Sequence, residues 1–335
     1  MRKQILHTFG IFIFLSMIFC IVVLRYSQKE VQLCPPLPHR RSLLLSDGRR
    51  TYELNMNQFE EEFPALQSYN CTLLINKEGF CHSTSGRLLI ILAIKSHPSS
   101  SYRRAALRET WAKEQVISGY VVKPLFLMAI SPKQGHMNLV AEENRAYNDI
   151  LLWDFTESHH NLSLKERCFI EWLYYSCQEV EFIFKGDDDE FVNPEEVVRY
   201  VMKTTNASNI VHGFIQSESV TVRQGKYKIS ESLYPFTKYP SFPSGGGFIF
   251  PGASVPALYN ASTWIPVFPL DDVYFGFLGL VCNLSYHHDN RFYVSGLRND
   301  ICLYKKALVV HGLQSEMLLT IWHDLQKDKK CSSTK

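Results

Sequence analysis

An α/β fold with a mostly parallel central sheet, preceded by one transmembrane helix, is the architecture the sequence predicts, and three observations carry it. From Arg87 to about residue 210, short apolar runs alternate with amphipathic stretches, the order in which strand–helix units build a parallel sheet. Residues 5–24 are almost uninterruptedly apolar, with His7 the one strongly polar member. The apolar run 182–184 leads through Lys185 and Gly186 into three consecutive acids, Asp187, Asp188 and Asp189. In an open α/β sheet a ligand site lies just past the carboxyl end of a strand.

Arg2 and Lys3 precede the first apolar run and Arg25 follows it. Residues 5–24, at about 1.5 Å rise each, match the hydrocarbon core of a bilayer. The run ends without the small-residue cleavage site of a secretory leader, so it reads as an uncleaved anchor behind a cytoplasmic tail of residues 1–4. Five Asn-x-Ser/Thr sequons, at Asn70, Asn161, Asn206, Asn260 and Asn283, all lie C-terminal to it. Their glycosylation requires the bulk of the chain to be lumenal, which makes a single-pass type II protein. The Pro-rich, basic stretch 34–41 suits a stem, assigned to 25–64, and the folded lumenal domain is assigned to 65–331.

Within that domain, residues 88–94 read as a buried strand and 101–114 as a helix with Ser101 as its N-cap. Further strands are expected at 125–130 and 150–155, and a helix at 164–175 with Leu164, Cys168, Trp172 and Tyr175 along one face. Beyond residue 210, Gly, Pro and aromatics mark loops of the kind that shape a site. A net charge of +2 over 335 residues argues against nucleic acid as a partner. Nine cysteines agree with an oxidising compartment. Cys168 reads as a buried thiol, which leaves Cys71, Cys81, Cys177, Cys282, Cys302 and Cys331 as the disulfide set. Proximity in sequence favours Cys71 with Cys81 and Cys282 with Cys302.

Three consecutive carboxylates repel one another unless a cation sits among them, and hard oxygen donors there suit Mg or Mn beside a diphosphate. Arg104 and Arg108 are four apart and share a helix face just after a strand closing at Lys95. Those three cations could hold a diphosphate; the competing expectation is a solvated basic face with Arg108 paired to an acid. Gly245, Gly246 and Gly247 precede an apolar run, where backbone can approach a ligand closely. Asp271 and Asp272 suit metal ligation, or a general base with a structural neighbour, or a helix N-terminus. His287, His288 and His311 are the candidate nitrogen ligands, and His311, ending the apolar run 307–310, has the edge.

These motifs fall in a defined order: Arg-Arg-Ala-Ala-Leu-Arg-Glu-Thr-Trp (103–111), Asn-Leu-Ser-Leu-Lys (161–165), Lys-Gly-Asp-Asp-Asp-Glu-Phe-Val-Asn (185–193), Tyr-Pro…Gly-Gly-Gly-Phe (239–248), Asp-Asp-Val-Tyr (271–274) and Val-His…Glu-Met…Ile-Trp (310–322). The set resembles the β-1,3-glycosyltransferase family of animal Golgi enzymes. Residues 149–155 and 182–189 look closest to the N-acetyllactosaminide β-1,3-N-acetylglucosaminyltransferases. The resemblance implies a GT-A-type, Rossmann-like catalytic domain using Mn2+ and UDP-GlcNAc, inverting at the anomeric carbon. The implied acceptor is a galactose-terminated glycan on glycoprotein or glycolipid, and the implied location is the Golgi membrane, with a homodimer as an open expectation.

Residue by residue, the resemblance implies that Lys95, Arg104 and Arg108 hold the uridine diphosphate, and Asp187 and Asp188 the ribose and sugar. Asp189 with His311 would bind the metal, Asp272 would be the general base with Asp271 its neighbour, and Gly246 and Gly247 would line the donor and acceptor cleft. Two departures stand out. Glu190 occupies a position where that family usually has an apolar residue, and 286–297 is unlike the family's His-x-x-Phe region. The alternatives are a β-1,3-galactosyltransferase using UDP-galactose and a catalytically silent lumenal chaperone that keeps the fold.

Overall fold

The computed structural model describes residues 42–82, 86–204, 208–327 and 331. The expected tail and anchor, the first part of the stem and the sequon at Asn206 lie outside these residues. Among the described residues no helix is long and apolar enough to cross a membrane. The chain runs β1 (Ser42–Ser46), β2 (Thr51–Asn55), α1 (Met56–Glu62), α2 (Pro64–Ser68), β3 (Leu73–Ile75), β4 (Leu88–Lys95), α3 (Ser101–Glu109), β5 (Gln115–Ile117) and β6 (Tyr120–Ile130). It continues through α4 (Gln134–Tyr147), β7 (Ile150–Thr156), α5 (Leu162–Ser176), β8 (Val180–Asp187), β9 (Glu190–Val192), α6 (Pro194–Thr204), β10 (Ile210–Gln216) and β11 (Phe242–Pro251). After α7 (Val255–Ser262) come α8 (Asp271–Val281), β12 (Ser285–His288), β13 (Phe292–Tyr293), α9 (Ile301–Tyr304), β14 (Val309–His311) and α10 (Ser315–Gln326).

The main sheet has nine strands in the order β12-β10-β11-β8-β4-β6-β7-β3, with β5 paired to β6. Strands β8, β4, β6 and β7 run parallel, as expected of strand–helix alternation. The sheet as a whole is mixed rather than mostly parallel, because β11 lies antiparallel between β8 and β10, and β3 and β5 are also antiparallel. No helix lies between β10 and β11, and an antiparallel return needs no crossover helix.

The central strands are apolar on both faces because both are covered. In β4, Leu89, Ile91 and Ala93 pack into one core, and Ile90, Leu92 and Ile94 into the other. Their register sets the site: parallel pairing of β4 with β8 puts Lys95 beside Asp187 at the carboxyl ends of both strands.

Part of the expected stem belongs to this fold. Residues 42–55 form a hairpin whose Leu43, Leu45, Tyr52 and Leu54 alternate inward, and Phe59 of α1 is fully buried in the same core as Phe268 and Phe277. A period of two with an apolar inner face is what holds a strand against a core. The helix expected at 101–114 stops at Glu109, and no side chain caps its start. Tyr175, expected on the inner face of α5, is exposed, whereas Leu164, Cys168 and Trp172 are buried.

The disulfides are Cys71–Cys168, Cys81–Cys177 and Cys302–Cys331. Cys168 is therefore bonded rather than a thiol, and both expected nearest-neighbour pairs are replaced. Helix α5 brings Cys168 and its C-cap Cys177 alongside the segment that carries Cys71 and Cys81, so each finds a partner across the fold.

Candidate active site

A cleft of about 570 Å³ opens past the carboxyl ends of β4 and β8. Its floor is Lys95, Ser96 and the acids Asp187, Asp188 and Asp189, with Arg103 and His311 on its sides. Lys95 is buried and bridges two carboxylates, with Nζ 3.1 Å from Asp187 Oδ1 and 2.7 Å from Asp271 Oδ2. Burial opposes its charge, but Asp187 and Asp271 outweigh burial and hold its pKa well above the usual lysine range.

Asp188 is fixed from two directions. Ser96 Oγ donates to its Oδ2 at 2.7 Å, and Arg103 Nη1 donates to its Oδ1 at 2.8 Å. Arg103 also lies 3.8 Å from Asp189. Asp189 in turn has Oδ1 3.5 Å from His311 Nε2, and that oxygen is buried without a hydrogen bond. Burial pushes the Asp189 carboxyl up, with His311 pulling it back. Asp187, Glu190 and His311 also converge, each offering a donor atom within 4.8 Å of the others. His287 and His288 lie on edge strand β12, where His288 Nδ1 accepts from the Ile215 amide.

Arg104 and Arg108 do not face this cleft. Arg104 is fully buried and forms a fork on Glu143, at 2.8 and 2.7 Å, while also donating to Ser96 Oγ and the His97 and Pro98 carbonyls. Arg108 forks Asp149, pairs with Glu143 and stacks over Phe126 and Tyr147. Arg108 pairs with acids as the competing expectation has it, but the basic face is not solvated, since both arginine side chains are buried. Arg104 acts on the cleft indirectly, through Ser96, which also donates to Asp188, and through the carbonyl of His97, which lines the cleft. Arg103, one residue earlier, is the cation that reaches the acids.

Asp271 and Asp272 open α8, where the helix dipole favours acids. Burial alone would raise both carboxyls, yet the two diverge. Lys95 and Lys185 outweigh burial at Asp271 and hold it well below the usual carboxylate range. Burial, then repulsion from Asp271, pushes Asp272 up to about 7. Asp272 Oδ2 accepts from the Gly245 amide at 2.8 Å, and Oδ1 is buried with no partner. Two adjacent carboxyls with separated affinities for a proton suit one permanent charge and one base working near neutrality.

Gly245, Gly246 and Gly247 sit behind the cleft wall rather than on it. A Cβ at Gly246 would lie 3.2 Å from His311 Cβ, and one at Gly247, whose φ is +96°, would lie 2.8 Å from Val309. The glycine run thus lets β11 press against β14 and against Asp272.

Two further ion pairs, which the sequence analysis passes over, adjoin the cleft, and Lys165 and Glu157 of one of them line it. Lys185 pairs with Glu166, and Lys165 lies 2.8 Å from Glu157 while donating to the Ser96 carbonyl at 3.0 Å. Burial first, then the nearby charge of Lys95, brings Lys185 down to about 8. Adjacent Lys165 and Glu166 inside an otherwise apolar helix face were the available signal.

The profile of the galactosyltransferase family matches residues 102–290. The chain is similar to human "Beta-1,3-galactosyltransferase 5", at 30% identity covering 72% of this chain and 79% of that protein. It is likewise similar to rat "UDP-GlcNAc:betaGal beta-1,3-N-acetylglucosaminyltransferase 7", at 32% identity covering 78% and 69% of the two chains. Among solved structures, the WbbM bifunctional glycosyltransferase aligns at 8% identity with a TM-score of 0.44, covering 70% of this chain and 50% of that one.

Proposed function

The chain belongs to the galactosyltransferase family, and on that premise we propose that it is an inverting, metal-dependent GT-A-type enzyme that adds N-acetylglucosamine from UDP-GlcNAc in β-1,3 linkage to galactose. The observation that carries the reading is Lys95, which ties the acid triplet of the cleft floor to the Asp271–Asp272 pair. A donor-phosphate cradle and a base are thereby held in one frame.

Asp189 and His311 fit a divalent cation. They supply a carboxylate oxygen and an imidazole nitrogen 3.5 Å apart, and the oxygen is buried without a partner, a donor set that suits Mn2+. When bound, the cation supplies charge neutralisation for the departing diphosphate. The chain's own groups do the rest. Arg103 faces the anionic donor from the cleft wall, Asp187 and Asp188 present oxygens to sugar and ribose hydroxyls, and Asp271 keeps Lys95 in place. Asp272 takes the proton of the galactose 3-hydroxyl as that oxygen bonds to the anomeric carbon and the carbon–oxygen bond to UDP breaks. A single displacement inverts the centre and needs no enzyme nucleophile.

The acceptor is a galactose-terminated glycan, and the protein resides in the Golgi membrane with a lumenal catalytic domain. Transfer of galactose from UDP-galactose is the second reading, supported by the 30% identity to a β-1,3-galactosyltransferase. The test is UDP release by the full chain from each donor, with Mn2+ and a galactose-terminated acceptor, with and without chelator. Chelator-sensitive release from UDP-GlcNAc alone is the expected result. Release from UDP-galactose alone moves the protein to the second reading, and silence with both across several acceptors leaves a binding or chaperone role.

A further inference from the structure

We propose that Glu190 is a protein donor to the divalent cation, so that in this chain the metal is gripped from β9 as well as from His311. The inference rests on the metal-dependent reading above and adds a ligand to it.

Strand register supplies the first ground. Antiparallel pairing of β9 with β14 puts Glu190 directly opposite His311, so both side chains leave the same face of the small sheet. The Trp111 indole fixes that strand by donating to the Glu190 carbonyl at 2.9 Å.

The second ground is the state of the carboxylate. Glu190 is 0% exposed, and neither oxygen has a hydrogen bond of normal geometry, although the Asp187 amide lies near. Four other acids around the cleft have a cation: Glu166 has Lys185, Glu157 has Lys165, Asp271 has Lys95 and Asp188 has Arg103. Among the described residues none lies within 4.0 Å of Glu190. Its charged neighbours include two more acids, Asp187 and Asp189. A buried carboxylate costs several kcal/mol unless it is paired, coordinates a metal or takes up a proton, and a cation is what lets it stay ionised there.

The third ground is the space it occupies. A Cβ at Gly186 would stand 2.1 Å from Glu190 Oε2, and one at Gly247 would stand 3.3 Å from it. Two absent side chains, one on β8 and one on β11, make the slot that admits the carboxylate. Its donor atom ends within 4.8 Å of those of Asp187 and His311.

The experiment measures Mn2+ binding by loss of the free-ion electron paramagnetic resonance signal. It uses the full chain purified in detergent, first without and then with UDP, and needs no turnover. Loss of an outer-shell partner already weakens metal affinity by about tenfold, so Glu190→Gln, which keeps the shape and removes the charge, is expected to raise the Mn2+ Kd by at least that factor. Its melting temperature in chelator should be no lower than that of the wild type. If Glu190→Gln binds Mn2+ within twofold of the wild type while Asp189→Asn does not, the inference falls and the transferase reading stands. If the wild type binds no Mn2+ in either condition, the metal-dependent reading falls with it. Should Glu190→Gln fail to fold, Glu190→Asp serves, since it keeps the charge but shortens the reach; an unchanged Kd there also overturns the inference.

Discussion

Replacing Gly245 with Ala places a methyl group 2.8 Å from both oxygens of Asp272, where ordinary contact begins near 3.4 Å. The backbone itself tolerates the change, because Gly245 is not among the positive-φ residues. The shortfall is 3.4 − 2.8 = 0.6 Å, and it is met by moving the carboxylate, the backbone or both. A displacement of about 1 Å in a reacting group can cost about a hundredfold in rate, so this one should cost about tenfold in kcat. The same shift weakens the Gly245 amide bond to Oδ2, which favours the carboxylate form, so the acid limb of the rate profile should also move up.

Initial rates of UDP release at saturating donor, Mn2+ and acceptor would show this as a loss in kcat with little change in the donor KM. Gly135→Ala is the matched control. A Cβ at Gly135 meets nothing within 4 Å, and the change in α4 should leave kcat alone while adding up to about 1 kcal/mol of stability. A Gly245→Ala enzyme with kcat within twofold of wild type would refute the placement of Asp272 at the reacting hydroxyl. So would a loss confined to donor KM.

Asp272 acts as a base only when ionised, so with its pKa near 7 kcat/KM should rise about tenfold per pH unit up to that value and level off above it. In Asp271→Asn the repelling charge is gone and Lys95 and Lys185 are left facing Asp272, so the limb should move to lower pH. A limb that stays put or moves up would count against the base role. Arg103→Ala should raise the donor KM with little effect on stability, whereas Arg104→Ala should destabilise the fold by about 3–5 kcal/mol, because it empties a fully buried site and takes the donor from the His97 and Pro98 carbonyls. Equal effects of the two on donor binding and urea midpoint would contradict the placement of these arginines. Phe59→Ala should cost about 3–5 kcal/mol in urea denaturation, and a cost below about 1 kcal/mol would return residues 56–62 to the stem.

Much of the site was legible because its residues sit where one-dimensional patterns end. The apolar runs of β4 and β8 announce their own carboxyl ends, so Lys95 and the acid triplet could be placed without coordinates. What was misread lies mostly in competing periodicities. Arg104, Leu107 and Arg108 share a helix face, Trp111 follows just past the helix end, and Leu107 and Trp111 are core residues. That apolar partnership turns Arg104 and Arg108 inward and leaves Arg103 to the cleft. The β1–β2 hairpin carried an Asp47-Gly48 turn flanked by alternating apolar residues, a strong hairpin signal obscured by its place beside a Pro-rich stretch. The disulfide partners were not legible at all. They depend on where α5 packs, and spacing along the chain is silent on that.

The two rungs that join the segment 71–81 to helix α5 have a consequence for how the protein is made. Each spans 97 or 96 residues of chain. At roughly 5–20 residues per second of synthesis, Cys71 and Cys81 emerge about 5–20 s before their partners. Throughout that interval each is the other's nearest thiol. A Cys71–Cys81 bond formed then would have to be reopened by thiol–disulfide exchange before α5 could dock. Under oxidising conditions without such reshuffling, a Cys71–Cys81 bond would hold the chain in a non-native loop.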